Sequence, residues 1–502
     1  PNESEAQQII RDIEKYKVGG ICYFQGNPEH LAILQNRYQA KSKIPLITSI
    51  DGEWGLGMRY PKQSISFPRA LTLGAIQDNN LIEEMGAHIA DHCKRVGIHV
   101  NFAPVVDVNN NPNNPVINNR SFGEDKYNVA AKSYAYMKGM QDNGIMACAK
   151  HFPGHGDTDT DSHYDLPVIT HSRSRLDSVE LMPFRSLIQQ DIGSVMVAHL
   201  NIPAFDDRPN RPTTLSYNAV TTILRNELGF DGLIFTDAME MNGVTKHFNP
   251  GEADREAFLA GNDIILLPSN LEAGFTAIKQ AVLDNLISEE RLASSVKRIL
   301  AAKYNLGIKR YTPIATDGVI KDINDNKSIA LKERLIESAI TLVSDKDQII
   351  PIKKLSDMKF STIAVGSSFK TAMQTRMDYY VSAKHHTLAK NSTTLQKNKI
   401  IADTKDSDYI IAGIHSMSKY ATKDFGIDHD DIEFLKLIEK DKKLIIVLYG
   451  SPYALKYFDD FSNVMVAYED DDITQSIATQ AIFGAISIKG KLPITASNRY
   501  IY

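Results

Sequence analysis

Seven short, almost purely apolar runs recur between longer helical stretches in the first half of this chain: GICYF (20–24), PLITSID (45–51), HVNFAPVVDV (99–108), MACAKHF (146–152), SVMVAHL (194–200), LIFTDA (233–238) and DIILLP (263–268). A strand with one wet face alternates polar and apolar residues, whereas a strand covered on both faces reads apolar throughout. Such runs alternating with helices predict a parallel sheet. The polar residues gather at the carboxyl ends of the runs, at Asp51, Asp107, Lys150, His199 and Asp237. That placement predicts a (β/α) barrel with its site on the face where the strands end. Seven runs leave an eight-stranded barrel one strand short, and the missing first strand is expected upstream of Pro1. The numbering opens on Pro rather than Met, so an upstream segment with a signal peptide is an expectation as well.

The barrel domain is read as 1–308. Its last helix shows an apolar face of Leu292, Val296, Ile299, Leu300 and Tyr304 and stops at Gly307. Polar residues dominate 309–328, which reads as a linker. A second alternation follows over 329–502, with AITLVS (339–344), FSTIAVGS (360–367), DYIIAGI (408–414), KLIIVLYG (443–450), NVMVAY (463–468) and KLPITA (491–496). The fold class is therefore α/β, a (β/α)8 TIM-like barrel followed by an α/β sandwich domain. The chain stops at Tyr502 directly after a predicted strand, so a further domain beyond it is also an expectation.

With 43% hydrophobic residues, the 502-residue chain can bury sizeable cores. A net charge of -5 without a clustered basic field argues against a nucleic-acid surface. No run of eighteen apolar residues occurs, so no membrane span is predicted. The three cysteines, Cys22, Cys93 and Cys148, lie in apolar or helical stretches and read as buried thiols rather than a disulfide framework.

The stretch KHFPGHGDTDTDSHYDLP (150–167) concentrates three histidines and four aspartates. His151 and His155 have the spacing of a helical zinc pair, but Pro153 and Gly154 intervene and the glutamate of such a motif is absent. Asp157, Asp159 and Asp161 copy the opening of a calcium loop, yet Ser162 stands where glycine is required and Val168 where the bidentate glutamate belongs. No metal and no cofactor is expected. Asp157, Asp159 and Asp165 read as solvated loop charges. Lys150 and His151 do not, because they follow a buried-looking strand at its carboxyl end.

At these residues the sequence resembles glycoside hydrolase family 3, and within it the bacterial β-N-acetylglucosaminidases of peptidoglycan turnover. The resemblance rests on IDGEWGLGMR, NFAPVVDVN with NNRSFGED after it, KHFPGHGDTDTDSH and ELGFDGLIFTDAMEM, in that order, and extends more weakly to GAISIKGKLPIT in the second domain. It implies a carbohydrate substrate with a terminal N-acetylglucosamine and a retaining mechanism with a covalent intermediate. It implies that Asp237 is the nucleophile, and the apolar strand LIFT that delivers an aspartate at its end supports the same residue. Retaining glycosidases usually draw their proton from a second carboxylate; here the resemblance implies instead an Asp161-Ser162-His163 dyad. In it His163 moves the proton and Asp161 orients the ring. An imidazole with an ordinary pKa of about 6.5 suits traffic in both directions.

The same resemblance implies sugar binding by Asp51, Arg59, Arg120, Lys150 and His151, each of which could instead serve a buried ion pair. His155 and His199 receive no role, and Trp54 is read either as a wall of the site or as plain packing. In the second domain YEDDD (468–472) is the most conspicuous acid cluster. It reads as a solvated turn, with no catalytic group expected from 329–502. Phosphorolysis, β-glucosidase or β-xylosidase activity and non-catalytic sugar binding are the alternative functions. The added sandwich domain favours the periplasm or cell surface, with the cytoplasm as the alternative.

Overall fold

In the computed structural model, which describes residues 2–161 and 164–502, the apolar runs of the first half become six parallel strands: β1 (Gly20–Tyr23), β2 (Ile47–Ile50), β3 (Val100–Asn101), β4 (Met146–Phe152), β5 (Ser194–Val197) and β6 (Leu233–Thr236). They lie side by side in chain order, each paired in parallel with the next. Helices such as Pro28–Gln39, Lys126–Asp142 and Leu181–Ile188 make the crossovers. Unreversed winding of this kind builds the sheet of a (β/α) barrel. The seventh run differs from expectation: 263–268 contributes a single parallel bridge, Ile264 to Phe235.

β2, β5 and β6 are buried at every residue, which is why their sequences lack alternation. Ile47, Val100, Cys148, Met196, Leu233 and Phe235, from successive strands, meet in one core, where the rings of Phe102 and Phe235 pack edge to face at 5.3 Å. Each such side chain contributes roughly 1.5–3 kcal/mol when removed from water. The pairing of β4 with β5 loses register between Ala149 and Phe152. Local irregularities of this kind re-aim side chains at the end of a strand, and Lys150 and His151 occupy this one.

The closing helix, Glu289–Asn305, corrects the periodicity reading. Val296, Leu300 and Tyr304 are exposed at 44%, 45% and 62%, while Ser295, Ala302 and Lys303 are the buried positions. Its inward face is partly polar because Ser295 bonds the buried Asp263 and Lys303 donates to the carbonyl of Pro45. The stretch 309–328, read as a linker, belongs to the first unit and carries the short helix Val319–Asp322.

The second unit comprises 68–81, 122–125 and 330–502. Its strands β7 (Thr341–Asp345), β8 (Phe360–Val365), β9 (Ala383–Leu388), β10 (Tyr409–Ile414), β11 (Lys443–Leu448) and β12 (Asn463–Val466) form one sheet in the order β7-β12-β11-β10-β8-β9. All neighbours are parallel except β7, which runs antiparallel to β12. β9 was not predicted and KLPITA (491–496) is not a strand. YEDDD is a solvated turn only in part: Asp470 and Asp472 are exposed, but three of its acids have fixed partners. Glu469 accepts from the Arg69 amide and guanidinium and from Thr72, Asp470 binds His415, Ser416 and Gln475, and Asp471 pairs with Lys332 and caps the helix Asp472–Ile482.

In the first unit Asp263 is wholly buried and holds the Arg225 guanidinium at 2.7 Å and the Ile234 amide at 3.1 Å. Removing one partner of a buried ion pair strands the other in low dielectric at a cost of about 3–5 kcal/mol. Asp263→Ala is therefore expected to destabilise this unit by that amount. The measurement is urea unfolding followed by the fluorescence of Trp54, the chain's single tryptophan.

Candidate active site

The carboxyl ends of the barrel strands bring together the charged residues singled out in the sequence, and the geometry adds one that was not. Asp51 follows β2 directly. Its Oδ1 accepts from the Lys150 ammonium at 2.7 Å, and its Oδ2 accepts from Arg59 at 2.6 Å. Arg59 also donates to the Asp51 carbonyl at 3.0 Å, and its guanidinium lies 4.9 Å from the Phe24 ring. Two residues beyond Asp51 is Glu53, whose side chain is 5% exposed. Its carboxylate accepts from Arg120 at 2.6 Å and lies 2.9 Å from the Lys150 ammonium, so one buried anion bridges two cations. Burial alone would raise the Glu53 pKa; the charges of Arg120 and Lys150 overcome it and hold the carboxyl well below the usual range. Burial likewise works against the Lys150 ammonium, and Asp51 and Glu53 more than restore it.

His151 is fixed from two sides. The buried Asp107 accepts its Nδ1–H at 2.7 Å, and the Arg120 Nη2 donates to its Nε2 at 3.3 Å, which together select the Nδ1–H tautomer. Asp107 also accepts the backbone amides of His151 and His155. Its pKa is lowered although burial pushes the other way, chiefly by His151. The loop beyond β4 closes against this centre at Gly156, where a Cβ would stand 1.9 Å from the Val108 carbonyl oxygen. Only glycine permits that approach.

Asp237 stands at the end of β6, with its amide bonded to the Val197 carbonyl and its Oδ1 accepting from the Ala238 amide at 2.8 Å. Burial works to raise its pKa; His199, His151, the Ala238 N–H and Lys150 lower it, so the carboxylate is ionised at neutral pH. His199 had no role in the sequence reading. Its Nε2 donates to the Ala238 carbonyl at 3.0 Å and its Nδ1 lies 2.7 Å from the Thr214 hydroxyl, which itself donates to the Ala198 carbonyl; these contacts steady the peptide that follows Asp237.

The Asp161 carbonyl accepts from the amides of Tyr164 and Asp165. His163, the expected proton carrier, lies outside the described residues. Trp54 is half-buried beside Glu53. Among the described residues Asp157, His171 and Glu180 bring three metal-capable side chains within reach of one another. Asp157 is bonded to His171 at 2.6 Å and both oxygens of Glu180 are held by Arg175 at 2.7 Å, so a cation there would compete with a guanidinium already in place.

A ring of buried, pre-aimed donors and acceptors beside an ionised strand-end carboxylate is a site for a polyhydroxylated ligand, with a base or nucleophile at its centre. Comparison with known proteins agrees. The model of the glycosyl hydrolase family 3 N terminal domain matches residues 2–302. Beta-hexosaminidase A of Pseudoalteromonas piscicida is 30% identical over 97% of this chain and 90% of its own length. A beta-N-acetylglucosaminidase/beta-glucosidase of Cellulomonas fimi is 30% identical over 67% of this chain and 61% of its own. Among solved structures, a family 3 beta-N-acetylglucosaminidase from Paenibacillus sp. str. FPU-7 superposes with a TM-score of 0.81 at 30% identity, covering 98% of this chain and 96% of that one. The chain belongs to glycosyl hydrolase family 3.

Two expectations follow. Glu53→Gln removes the anion between two buried cations. It should destabilise the protein by about 3 kcal/mol and lower kcat/KM about a hundredfold as Lys150 and Arg120 lose their aim; urea unfolding and steady-state kinetics read the two effects. Second, burial pushes His99 and His155 down from 6.5 to about 4. Between those values the unfolded chain binds protons that the folded chain refuses, so stability falls as pH drops through that window. The loss approaches about 3 kcal/mol per histidine at its lower end. Urea midpoints at pH 7 and pH 5 should show the decline, and His155→Gln should reduce it.

Proposed function

We propose that this chain is an exo-acting, retaining β-N-acetylglucosaminidase that releases terminal β-linked N-acetylglucosamine from peptidoglycan or chitin-type fragments. The observation that carries the reading is the Asp51–Lys150–Glu53–Arg120–His151 network at the strand ends, on the same barrel face as Asp237. Its polar groups suit a substrate rich in hydroxyls with an amide substituent, and the two beta-hexosaminidase and beta-N-acetylglucosaminidase relatives that span nearly the whole chain support the same substrate. In this account Asp237 attacks the anomeric carbon. The C1–O bond to the leaving group breaks as His163, oriented by Asp161, protonates that oxygen. The glycosyl group rests on Asp237 until His163 takes a proton from water, and the water oxygen displaces the carboxylate and restores the β configuration. Lys150, Arg120 and His151 engage hydroxyl and acetamido oxygens. The second domain favours the periplasm or cell surface over the cytoplasm as the site of action, and cell fractionation tests that reading.

A site built to pair polar groups with an acetamide leaves them unpaired on a plain glucoside. Aryl β-N-acetylglucosaminide should therefore be cleaved ahead of aryl β-glucoside by about a hundredfold or more, and equal rates would remove the substrate assignment. In His163→Ala, an activated aryl leaving group should depart far more readily than a second sugar, the glycosyl-enzyme should accumulate on Asp237, and azide should restore turnover. Equal slowing on both leaving groups with no trapped intermediate by mass spectrometry would move the proton to another residue. Sugar 1-phosphate formed only when phosphate is present would convert the hydrolase into a phosphorylase.

A further inference from the structure

The second unit's sheet has its own crevice, and none of the residues so far given a role in the reaction lies in it. Counted from β8, its parallel strands run 2-1-3-4-5 across the sheet, so the chain steps from β8 outward to β9 and then back past it to β10. At such a reversal the two connections leave on opposite faces and open a gap above the carboxyl ends of the strands, which is where open α/β sheets bind ligands. A cavity of ≈ 440 Å³ lies there. Gly366 after β8, His415 after β10, Asn391 after β9 and the first turn of the helix His429–Glu439 border it. That volume is within the range of small-molecule sites, about 300–1,000 Å³. His415 gives the cavity a rigid wall, its ring stacked on Tyr449 at 4.7 Å with Nε2 over Gly413. Its side chain is 3% exposed, its Nδ1 is 2.8 Å from Asp470, and its Nε2 has no hydrogen-bond partner.

The charges around the cavity select the ligand. The helix start would ordinarily attract an anion, but Asp428, Asp430 and Asp431 already crowd it. Asp428 caps the helix by accepting from the Asp430 amide, and Asp431 is bound to Lys397 at 2.7 Å. Lys390, the lining cation, donates to the Ser416 carbonyl at 2.8 Å. A phosphate would meet carboxylates, whereas a hydroxylated uncharged ligand can donate to them. Ile427, Ile432 and the buried Phe458 supply an apolar floor for the C–H face of a sugar ring. We infer that this cavity is an accessory site for an uncharged saccharide, separate from the hydrolytic centre.

The test uses the full chain with methyl-labelled isoleucines, titrated separately with N-acetylglucosamine, glucose and AMP. Ile427 and Ile432 report on the cavity, and Ile50, beside Asp51, reports on the barrel site. Saturable shifts of Ile427 and Ile432 with either sugar, at about millimolar affinity and without response to AMP, are the expected result. Asp430→Lys, an exposed change, should abolish those shifts while the hydrolysis of aryl β-N-acetylglucosaminide stays within twofold of the parent. Shifts confined to Ile50, shifts driven by AMP, or sugar shifts that persist in Asp430→Lys would each overturn the inference. A failure of the hydrolase reading shows separately, as absent turnover with Ile427 and Ile432 still responding.

Discussion

The carboxylate of Glu53 is the interaction on which the catalytic face depends. Lys150 and Arg120 are both withdrawn from water, and a cation in that environment persists only against an anion of matching geometry. Glu53 meets both, and its own burial is tolerable only because it does. Around it the signs alternate, with Asp51 between Lys150 and Arg59 and with Asp107 behind His151. Alternation turns a costly desolvation into fixed directions: each donor is already aimed, so a substrate meets dipoles that need little reorganisation. Asp237 gains its ionised state from the same field, through His199, His151 and Lys150.

The parts of the fold legible in the sequence are those whose environment leaves no choice. Strands β2, β5 and β6 are covered on both faces, so their residues are apolar or small hydroxyl-bearing, without alternation, and the parallel sheet can be read directly. β9 escaped because it is an edge strand; AKHHTL is half exposed along most of its length and so carries little apolar signal. KLPITA misled in the opposite way, since its apolar content serves burial of Leu492 and Ile494 without strand pairing. On the helix Glu289–Asn305 Leu292 and Ile299 pack inward but Val296, Leu300 and Tyr304 turn outward, because Ser295 and Lys303 take inward positions with polar partners, a fact that periodicity alone cannot carry.

The site shows the same division. Asp51, Lys150, His151 and Asp237 were visible as polar residues at strand ends, whereas Arg59 and Arg120 were reached only through the family resemblance. Glu53 was passed over because the loop already offered Asp51 as its carboxylate, although a second acid two residues on, in so apolar a loop, was a usable signal. The acids of YEDDD looked solvated because a sequence shows charge without partners; Arg69, Thr72 and Lys332, which bind two of them, are far away along the chain.

The chain does not finish one unit before starting the other. Residues 68–81 and 122–125 belong with the second unit, although both lie within the span of the first. Glu469 relies on Arg69 and Thr72, and Thr495 relies on Glu124, so these short insertions are structural members of the unit they join. Neither unit of this chain is therefore one contiguous stretch of sequence. A chain cut at residue 329 would carry 68–81 and 122–125 without Glu469 and Thr495, and a transplanted 330–502 would lack Arg69, Thr72 and Glu124. Each unit of this chain is thus completed by residues that lie elsewhere in the sequence, and a boundary drawn at one position cannot separate them cleanly.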